Sequence, residues 1–328
     1  MIIETKVPTR IDLAGGTIDL YPLFLFHEGA ETVNFGIDQY ARCCLETRDD
    51  GKFILEATDR GARAEYASFE ELKHDSTVEL LSKLVYFFRP NTGLTITTEA
   101  TAPAGAGLGG SSALDIAICG ALNQLSGNRY TPEELLTIAQ NVETQVIKVP
   151  AGCQDYYPPM FGGVLALQLT AEGVKRQRIE VDAEELESRL VLCYTGAQRN
   201  SGINNWEIFK RHIDGNQQVI NLLGNIGRIA AEMHNALIRK DYDMIGPLLD
   251  EEWQNRRQLA PGVSTPQIEE LANAAKQQGA VAVKVCGAGG GGCVVFGVKK
   301  GSKPAVESVL RSSGAEVISF HVAEKGLT

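Results

Sequence analysis

The stretch Pro103-Ala-Gly-Ala-Gly-Leu-Gly-Gly-Ser-Ser-Ala113 has the residue types of an anion site. Gly105, Gly107, Gly109 and Gly110 stand directly before a run, Ser111 to Leu125, in which Leu114, Ala117, Ile118, Ala121, Leu122 and Leu125 recur at helical spacing and give one apolar face. Ser111 or Ser112 fits the N-cap of that helix. Glycine lets backbone approach a ligand closely, and the first helical turn offers unpaired N–H groups at the positive end of the dipole. Phosphate is the natural guest of such a turn. A glycine-rich strand-to-helix turn with no ligand has the same composition, so both readings stand at this point.

Three other places carry chemistry. In Pro8-Thr-Arg10-Ile-Asp12-Leu-Ala-Gly15-Gly16-Thr-Ile-Asp19, an arginine and two carboxylates flank a Gly-Gly turn. Arginine offers a planar fork to phosphate and aspartate accepts from hydroxyls, although Arg10 and Asp12 also fit a plain surface ion pair. Glu143 sits near the C-terminal end of a second helical pattern, where its charge opposes the dipole and calls for a cation beside it or for solvent. Asp155 lies among turn-forming and aromatic residues that can partly desolvate it.

The elements that must position these groups alternate. Ile2 to Leu13 reads as a strand pair, and Val33 to Thr47, Lys52 to Ala57 and Leu94 to Thr98 read as strands. Thr77 to Phe88 reads as a helix. Thr131-Pro-Glu-Glu134 is a capping box that opens the helix carrying Glu143, which ends at Val149-Pro150. A buried strand follows from Gly163 to Leu169. Glu172 to Glu187 reads as a charged loop with a short helix and marks the domain boundary, giving domains 1–180 and 181–328. Beyond it come a strand, Leu190 to Tyr194, a polar loop containing Arg199, and three helices over Gln218–Ile238, Met244–Arg257 and from Thr265-Pro266. The tail reads strand, strand, helix, strand over Ala280–Val285, Cys293–Val298, Lys303–Arg311 and Ala315–Val322, an α+β pattern.

Composition narrows the function classes. At 328 residues, with 44% hydrophobic and 22% charged side chains, the chain is expected to be globular and is long enough for two domains or for one large one with a substantial core. A net charge of −10 opposes nucleic-acid or anionic-membrane binding. No apolar run reaches a membrane span and no secretory leader is evident, so a cytoplasmic protein is expected. The 7 cysteines form no CxxC pair, and the 5 histidines show no zinc-ligand spacing.

Three signatures stand in a fixed order: Pro-x-Arg…Gly-Gly…Asp, Pro-x3-Gly-Leu-Gly-x-Ser-Ser-Ala, and Gly-Ala-Gly-Gly-Gly-Gly at 287–292. The set resembles the GHMP kinase superfamily of galactokinase, homoserine kinase, mevalonate kinase and phosphomevalonate kinase. Arg10…Ala14-Gly-Gly-x-x-Asp19, Lys148-Val-Pro-x-Gly-x-Gln154-Asp155 and Tyr194-Thr-Gly196…Arg199 are most similar to its D-glycero-D-manno-heptose 7-phosphate kinase branch, which phosphorylates an anomeric hydroxyl. Here the chain has Gly-Gly-Thr-Ile-Asp where the branch has Gly-Gly-Gly-Thr-Asp. The middle motif is not a Walker loop, since no Gly-Lys-Ser/Thr follows its glycines.

The resemblance implies a two-domain α+β fold, with an N-terminal domain like ribosomal protein S5 and a ferredoxin-like C-terminal domain. It implies ATP held by Pro103, Gly105, Gly107, Leu108, Gly109, Gly110, Ser111 and Ser112. Mg²⁺ would sit on Glu143 and on Ser111, three beyond Leu108, with Ser112 as the substitute. Asp155 and Arg10 become the catalytic pair. Asp19, Gly15, Gly16, Arg199, Gly287, Gly289 and Gly290 become the lining for a sugar or sugar-phosphate acceptor. A homodimer fits the same family. Two readings compete: a mevalonate or phosphomevalonate kinase, and a non-catalytic sensor on the same fold. The sensor reading expects one of Arg10, Glu143 or Asp155 to be missing, and all are present.

Overall fold

The computed structural model describes residues 1–328 except 75, 104, 198–200 and 288, and except the side chains of 74 and 201–204. Among the described residues the first half builds one 7-stranded sheet. Its strands are β1 (Ile2–Ala14), β2 (Glu31–Arg48), β3 (Phe53–Ala57), β4 (Ala62–Tyr66), β5 (Gly93–Ala100), β6 (Val164–Thr170) and β7 (Gly173–Ile179). The long β2 organises it. β1 runs antiparallel along one edge of β2, while β5 and β6 pair with opposite ends of the other edge. Helices α1 (Glu79–Phe88), α2 (Gly110–Leu125) and α3 (Pro132–Ile147), with the short α4 (Tyr157–Phe161), complete this half.

Four local expectations change. Ile2–Ala14 is one 13-residue strand and not a pair, because a register shift between Pro8 and Thr9 interrupts the alternation without turning the chain. Helix α2 starts one residue earlier than read, capped by Gly109 at φ 70° with no side-chain cap, so Ser111 and Ser112 lie inside the first turn. Every residue from Ser112 to Asn123 is buried, so α2 has no solvent face. Small residues (Ala113, Ala117, Gly120, Ala121) let neighbours close in, with Leu327 of the chain end lying where a side chain at Gly120 would go. Within the stretch read as a charged loop, Gly173–Ile179 is the edge strand β7, whose exposed Lys175, Arg176 and Arg178 guard a free edge. The capping box of α3 forms as read, with Thr131 Oγ1 accepting from Glu134 N (3.3 Å) and Glu134 Oε2 from Thr131 N (2.8 Å).

The second half carries α5 (Ala183–Ser188), β8 (Leu190–Tyr194), α6 (Ser201–Ile213), α7 (Gln217–Ile238), α8 (Ile245–Arg256), α9 (Pro266–Gln277), β9 (Ala280–Val285), β10 (Cys293–Val298), α10 (Lys303–Ser312) and β11 (Glu316–Ile318). Its antiparallel strands lie in the order β11-β8-β10-β9, the split βαβ arrangement of a ferredoxin-like fold. The chain end then returns to the first sheet, where Lys6 and Thr328 exchange backbone hydrogen bonds (2.8 and 3.1 Å).

One apolar cluster spans both halves, with Ile11, Leu13 and Phe35 packed with Met233, Leu249 and Val295. Within this region Lys284, Asp12, Arg256 and Glu252 are buried together. Lys284 of β9 places Nζ 2.8 Å from Asp12 Oδ2 of β1, and Arg256 Nε of α8 donates to Glu252 Oε1 at 2.9 Å. Burial alone would push the Asp12 carboxyl up; the cations Lys284, Arg256 and Arg10 reverse this and hold it below its ordinary value. Removing one partner strands a buried charge. Lys284→Met is therefore expected to destabilise the protein by about 3–5 kcal/mol in urea denaturation followed by tryptophan fluorescence. A loss below about 1 kcal/mol would contradict a cluster whose charges depend on one another.

Candidate active site

The glycine loop is shaped from both sides. Gly105, Gly107 and Gly109 have φ of 71°, 81° and 70°, the left-handed region that β-carbons disfavour. From β1, Arg10 N donates to Leu108 O (2.9 Å) and Arg10 Nη1 to Gly107 O (2.6 Å). From the second half, Cys293 N donates to Ala106 O at 2.6 Å. A β-carbon on Gly292 would lie 2.6 Å from that same oxygen, so glycine at 292 is set by loop-to-loop contact.

Arg10 is 1% exposed. Its Nε donates to Asp155 Oδ1 at 2.8 Å and its Nη2 lies 2.7 Å from the same oxygen. Burial lowers this guanidinium's affinity for its proton, and the carboxylates of Asp155 and Asp12 more than restore it. The side chain of Asp155 keeps 30% of its surface, a carboxylate tied to a buried cation yet open to a ligand.

Glu143 is buried, which excludes the solvent-exposed reading. Its Oε2 accepts from Ser112 Oγ (2.8 Å) and from Tyr156 Oη (2.5 Å). Thus Ser112, not Ser111, stands on the glutamate, while Ser111 lines the adjoining cleft. Asp115, fully buried one turn along α2, has its carboxyl pushed well above its ordinary value by burial and then by the Glu143 charge. No cluster of three or more His, Cys, Asp or Glu able to hold a metal exists among the described residues. A carboxylate with a hydroxyl beside it instead fits Mg²⁺, a hard cation that takes one or two protein oxygens and completes its shell with substrate phosphates and water.

The Gly15-Gly16-Thr17 turn is clamped from the second half. Arg256 Nη2 donates to Gly16 O (2.8 Å) and Nη1 to Thr17 Oγ1 (3.1 Å). A β-carbon at Gly15 would fall 2.2 Å from Glu31 O, and one at Gly16 2.5 Å from Asp12 Oδ2, so packing within the protein requires both glycines. Asp19 is 1% exposed and its Oδ2 accepts from Gln154 N at 3.0 Å. Burial, then the nearby Asp155 charge, raises its carboxyl to about 7.

Two clefts meet here. One is lined by Pro103 and the glycine loop from Gly105 to Ser112 with Asp59 and Arg60; the other by Thr17, Asp19, Gly152, Gln154, Asn205, Arg256 and Gly287. Arg10, Ser112, Glu143 and Asp155 line both. Of the second glycine tract, Gly287 reaches a cleft. Gly289 and Gly290 instead pack on Val263, whose Cγ1 lies 2.7 Å from a Gly289 β-carbon and whose carbonyl accepts from Gly290 N at 2.9 Å. Arg199 lies outside the described residues. The sequence pattern missed Arg256, Tyr156 and Asp59. Tyr156 had a signal in its place beside Asp155, whereas Arg256 lies in a charged helix with no local mark.

Two family models match this chain: GHMP kinases N terminal domain over residues 75–163 and GHMP kinases C terminal over residues 233–316. The chain is 28% identical to D-glycero-alpha-D-manno-heptose 7-phosphate kinase of Campylobacter jejuni, across 99% of this chain and 98% of that protein. It is also 28% identical to mevalonate kinase of Thermococcus sibiricus, across 100% and 98%. A solved D-glycero-D-manno-heptose 1-phosphate kinase from Bacteriodes thetaiotaomicron superposes with a TM-score of 0.81 at 26% identity, covering 100% of this chain and 98% of that one.

Asp19 gives the site a signature in stability. With its carboxyl raised from 3.8 to about 7, the native state keeps a proton that the unfolded chain releases between those values. The contribution is fully present below pH 4 and is lost as pH rises through about 7. Urea titrations from pH 5 to pH 8 should show stability falling relative to Asp19→Asn, with the two curves converging at the acid end. Parallel curves would contradict a raised Asp19.

Proposed function

The chain belongs to the GHMP kinase superfamily, and on that footing we propose that it transfers the γ-phosphoryl group of ATP to a sugar hydroxyl, the anomeric hydroxyl of a heptose or heptose 7-phosphate. It is a phosphotransferase with an alcohol acceptor. The observation that carries the reading is the meeting of two clefts at Arg10, Ser112, Glu143 and Asp155. One cleft has a phosphate-type loop and the other a hydroxyl-type lining, as a donor and an acceptor require.

In this reading the N–H groups from Gly107 to Ser112 hold the β- and γ-phosphates at the start of α2. Glu143 with the Ser112 hydroxyl would hold Mg²⁺, which supplies charge neutralisation to the phosphates when bound. Ser111 is left to the phosphates. Arg10, fixed by Asp155 and Gly107 O, faces the transferring group and stabilises its charge. Asp155 orients the acceptor hydroxyl and takes its proton as the oxygen attacks phosphorus. Asp19 accepts from further acceptor hydroxyls, and we assign Arg199 to a phosphate already on the acceptor. Residues 1–180 would form the ATP-binding domain and 181–328 the second domain, with the chain end docked on the first. A cytoplasmic enzyme acting on small molecules follows, with no nucleic-acid or membrane partner.

A panel of heptose 7-phosphate, free heptose, galactose, fucose and mevalonate, with ATP and Mg²⁺, tests the assignment. Turnover is expected on the heptoses, with the 7-phosphate preferred. Turnover on mevalonate alone would overturn the acceptor and favour the reading that the archaeal relative supports. Asp155→Asn should lower kcat by about 10²–10⁴-fold with ATP affinity kept. Ser112→Ala should raise the Mg²⁺ concentration needed for half-maximal rate, while Ser111→Ala should not. The reverse order would return the metal to Ser111.

A further inference from the structure

Behind the hydroxyl-type cleft lies a further pocket that the reading above does not use. It measures about 630 Å³, within the range of roughly 300–1,000 Å³ that small-molecule sites occupy. Its sides come from three places: Tyr21 and Phe24 from the segment after Asp19, Asn141, Thr144 and Lys148 from the end of α3, and Val174 from β7. Asp19, Val149, Pro150 and Ala151 line both this pocket and the hydroxyl-type cleft, so they form a wall between two spaces. The wall is stitched shut. Leu20 and Gly152 form an isolated antiparallel bridge, Gln154 N donates to Asp19 Oδ2 at 3.0 Å, and Gln140 Nε2 of α3 donates to Ala151 O at 2.8 Å. A β-carbon on Gly152 would lie 2.3 Å from Asp19 Oδ2, so the wall has no slack where the two segments cross.

The chemistry of the lining is apolar with one cation. Tyr21 leaves 65% of its surface in water, although an aromatic ring gains much from burial, and it stands edge-on to the buried Phe24 with ring centroids 6.0 Å apart. Lys148 closes α3 in the left-handed conformation at φ 59°, and among the described residues its ammonium enters no ion pair or hydrogen bond. It is the one cation on the described lining, and the one carboxylate there, Asp19, is held in the wall. Charge complementarity then selects an anion, and the aromatic corner selects a flat apolar body. We infer that this pocket is a second small-molecule site, separate from the two clefts, for a compact organic anion that lays an apolar body against Tyr21 and Phe24 and sets its carboxylate, sulfonate or phosphate on Lys148.

The probe is 8-anilinonaphthalene-1-sulfonate, a flat apolar anion whose fluorescence rises as it leaves water. It is titrated into the full chain at neutral pH, with and without saturating ATP·Mg²⁺ and heptose 7-phosphate. N-phenyl-1-naphthylamine, the same skeleton without the sulfonate, reports the apolar part alone. One saturable site is expected, with a Kd that neither ATP·Mg²⁺ nor heptose 7-phosphate changes. Lys148 is exposed, so Lys148→Gln should keep the wild-type Tm. It should weaken the sulfonate about fivefold, as loss of an exposed ion pair does, and leave the neutral probe unchanged. Thr144→Trp, which fills the pocket, should weaken both probes. Competition by ATP·Mg²⁺ or by heptose 7-phosphate would put the probe in the clefts already described and overturn a separate site. No saturable binding to the wild type, or wild-type affinity for the sulfonate in either variant, would overturn the inference as well.

Discussion

The buried guanidinium of Arg10 is the contact on which the site depends. It joins three separate pieces of chain: its own strand β1, the glycine loop through Gly107 O and Leu108 O, and the 150–156 segment through Asp155. A cation with almost no solvent access needs every one of these partners, since burying it otherwise is costly. The loop that would carry the donor and the carboxylate that would orient the acceptor are therefore positioned by one side chain. Neither can shift without stranding the charge.

A second buried set ties the other half of the molecule to this arrangement. Lys284 and Arg256 reach from β9 and α8 to Asp12 and to the Gly16-Thr17 turn, and Glu252 balances them. Cys293 closes the link by donating to Ala106 in the glycine loop. The cleft that would take the acceptor is thus built from two halves whose contact is both apolar and ionic, with Phe35, Met233 and Val295 supplying the apolar part. Glycines at 15, 16 and 292 follow from these close approaches, and their presence in the sequence reports packing as much as ligand binding.

Much of this was legible from local chemistry. The strands Leu190–Tyr194, Ala280–Val285 and Cys293–Val298 occupy the bounds their apolar runs predict, and the Thr131 capping box opens α3 where its residues demand. What depends on long-range contact was not legible. Periodicity in α2 marked one apolar face, and cannot report that the small residues on the other faces are buried too. The charged strand β7 reads as a loop because an edge strand buries almost nothing. Glu143 looked like a misplaced surface charge until Ser112 and Tyr156, from two other elements, were seen on its carboxylate. Asp12 and Lys284 lie 272 positions apart, and no local pattern announces their pairing.

The central claim is that two clefts meet so that phosphorus passes from a nucleotide to one oxygen of a sugar. The most direct measurement is ³¹P NMR of the product formed from ATP, Mg²⁺ and heptose 7-phosphate. The account predicts a new phosphorus resonance split by the anomeric proton, growing in step with ADP. Phosphorus on another carbon, or release of inorganic phosphate alone, would contradict it.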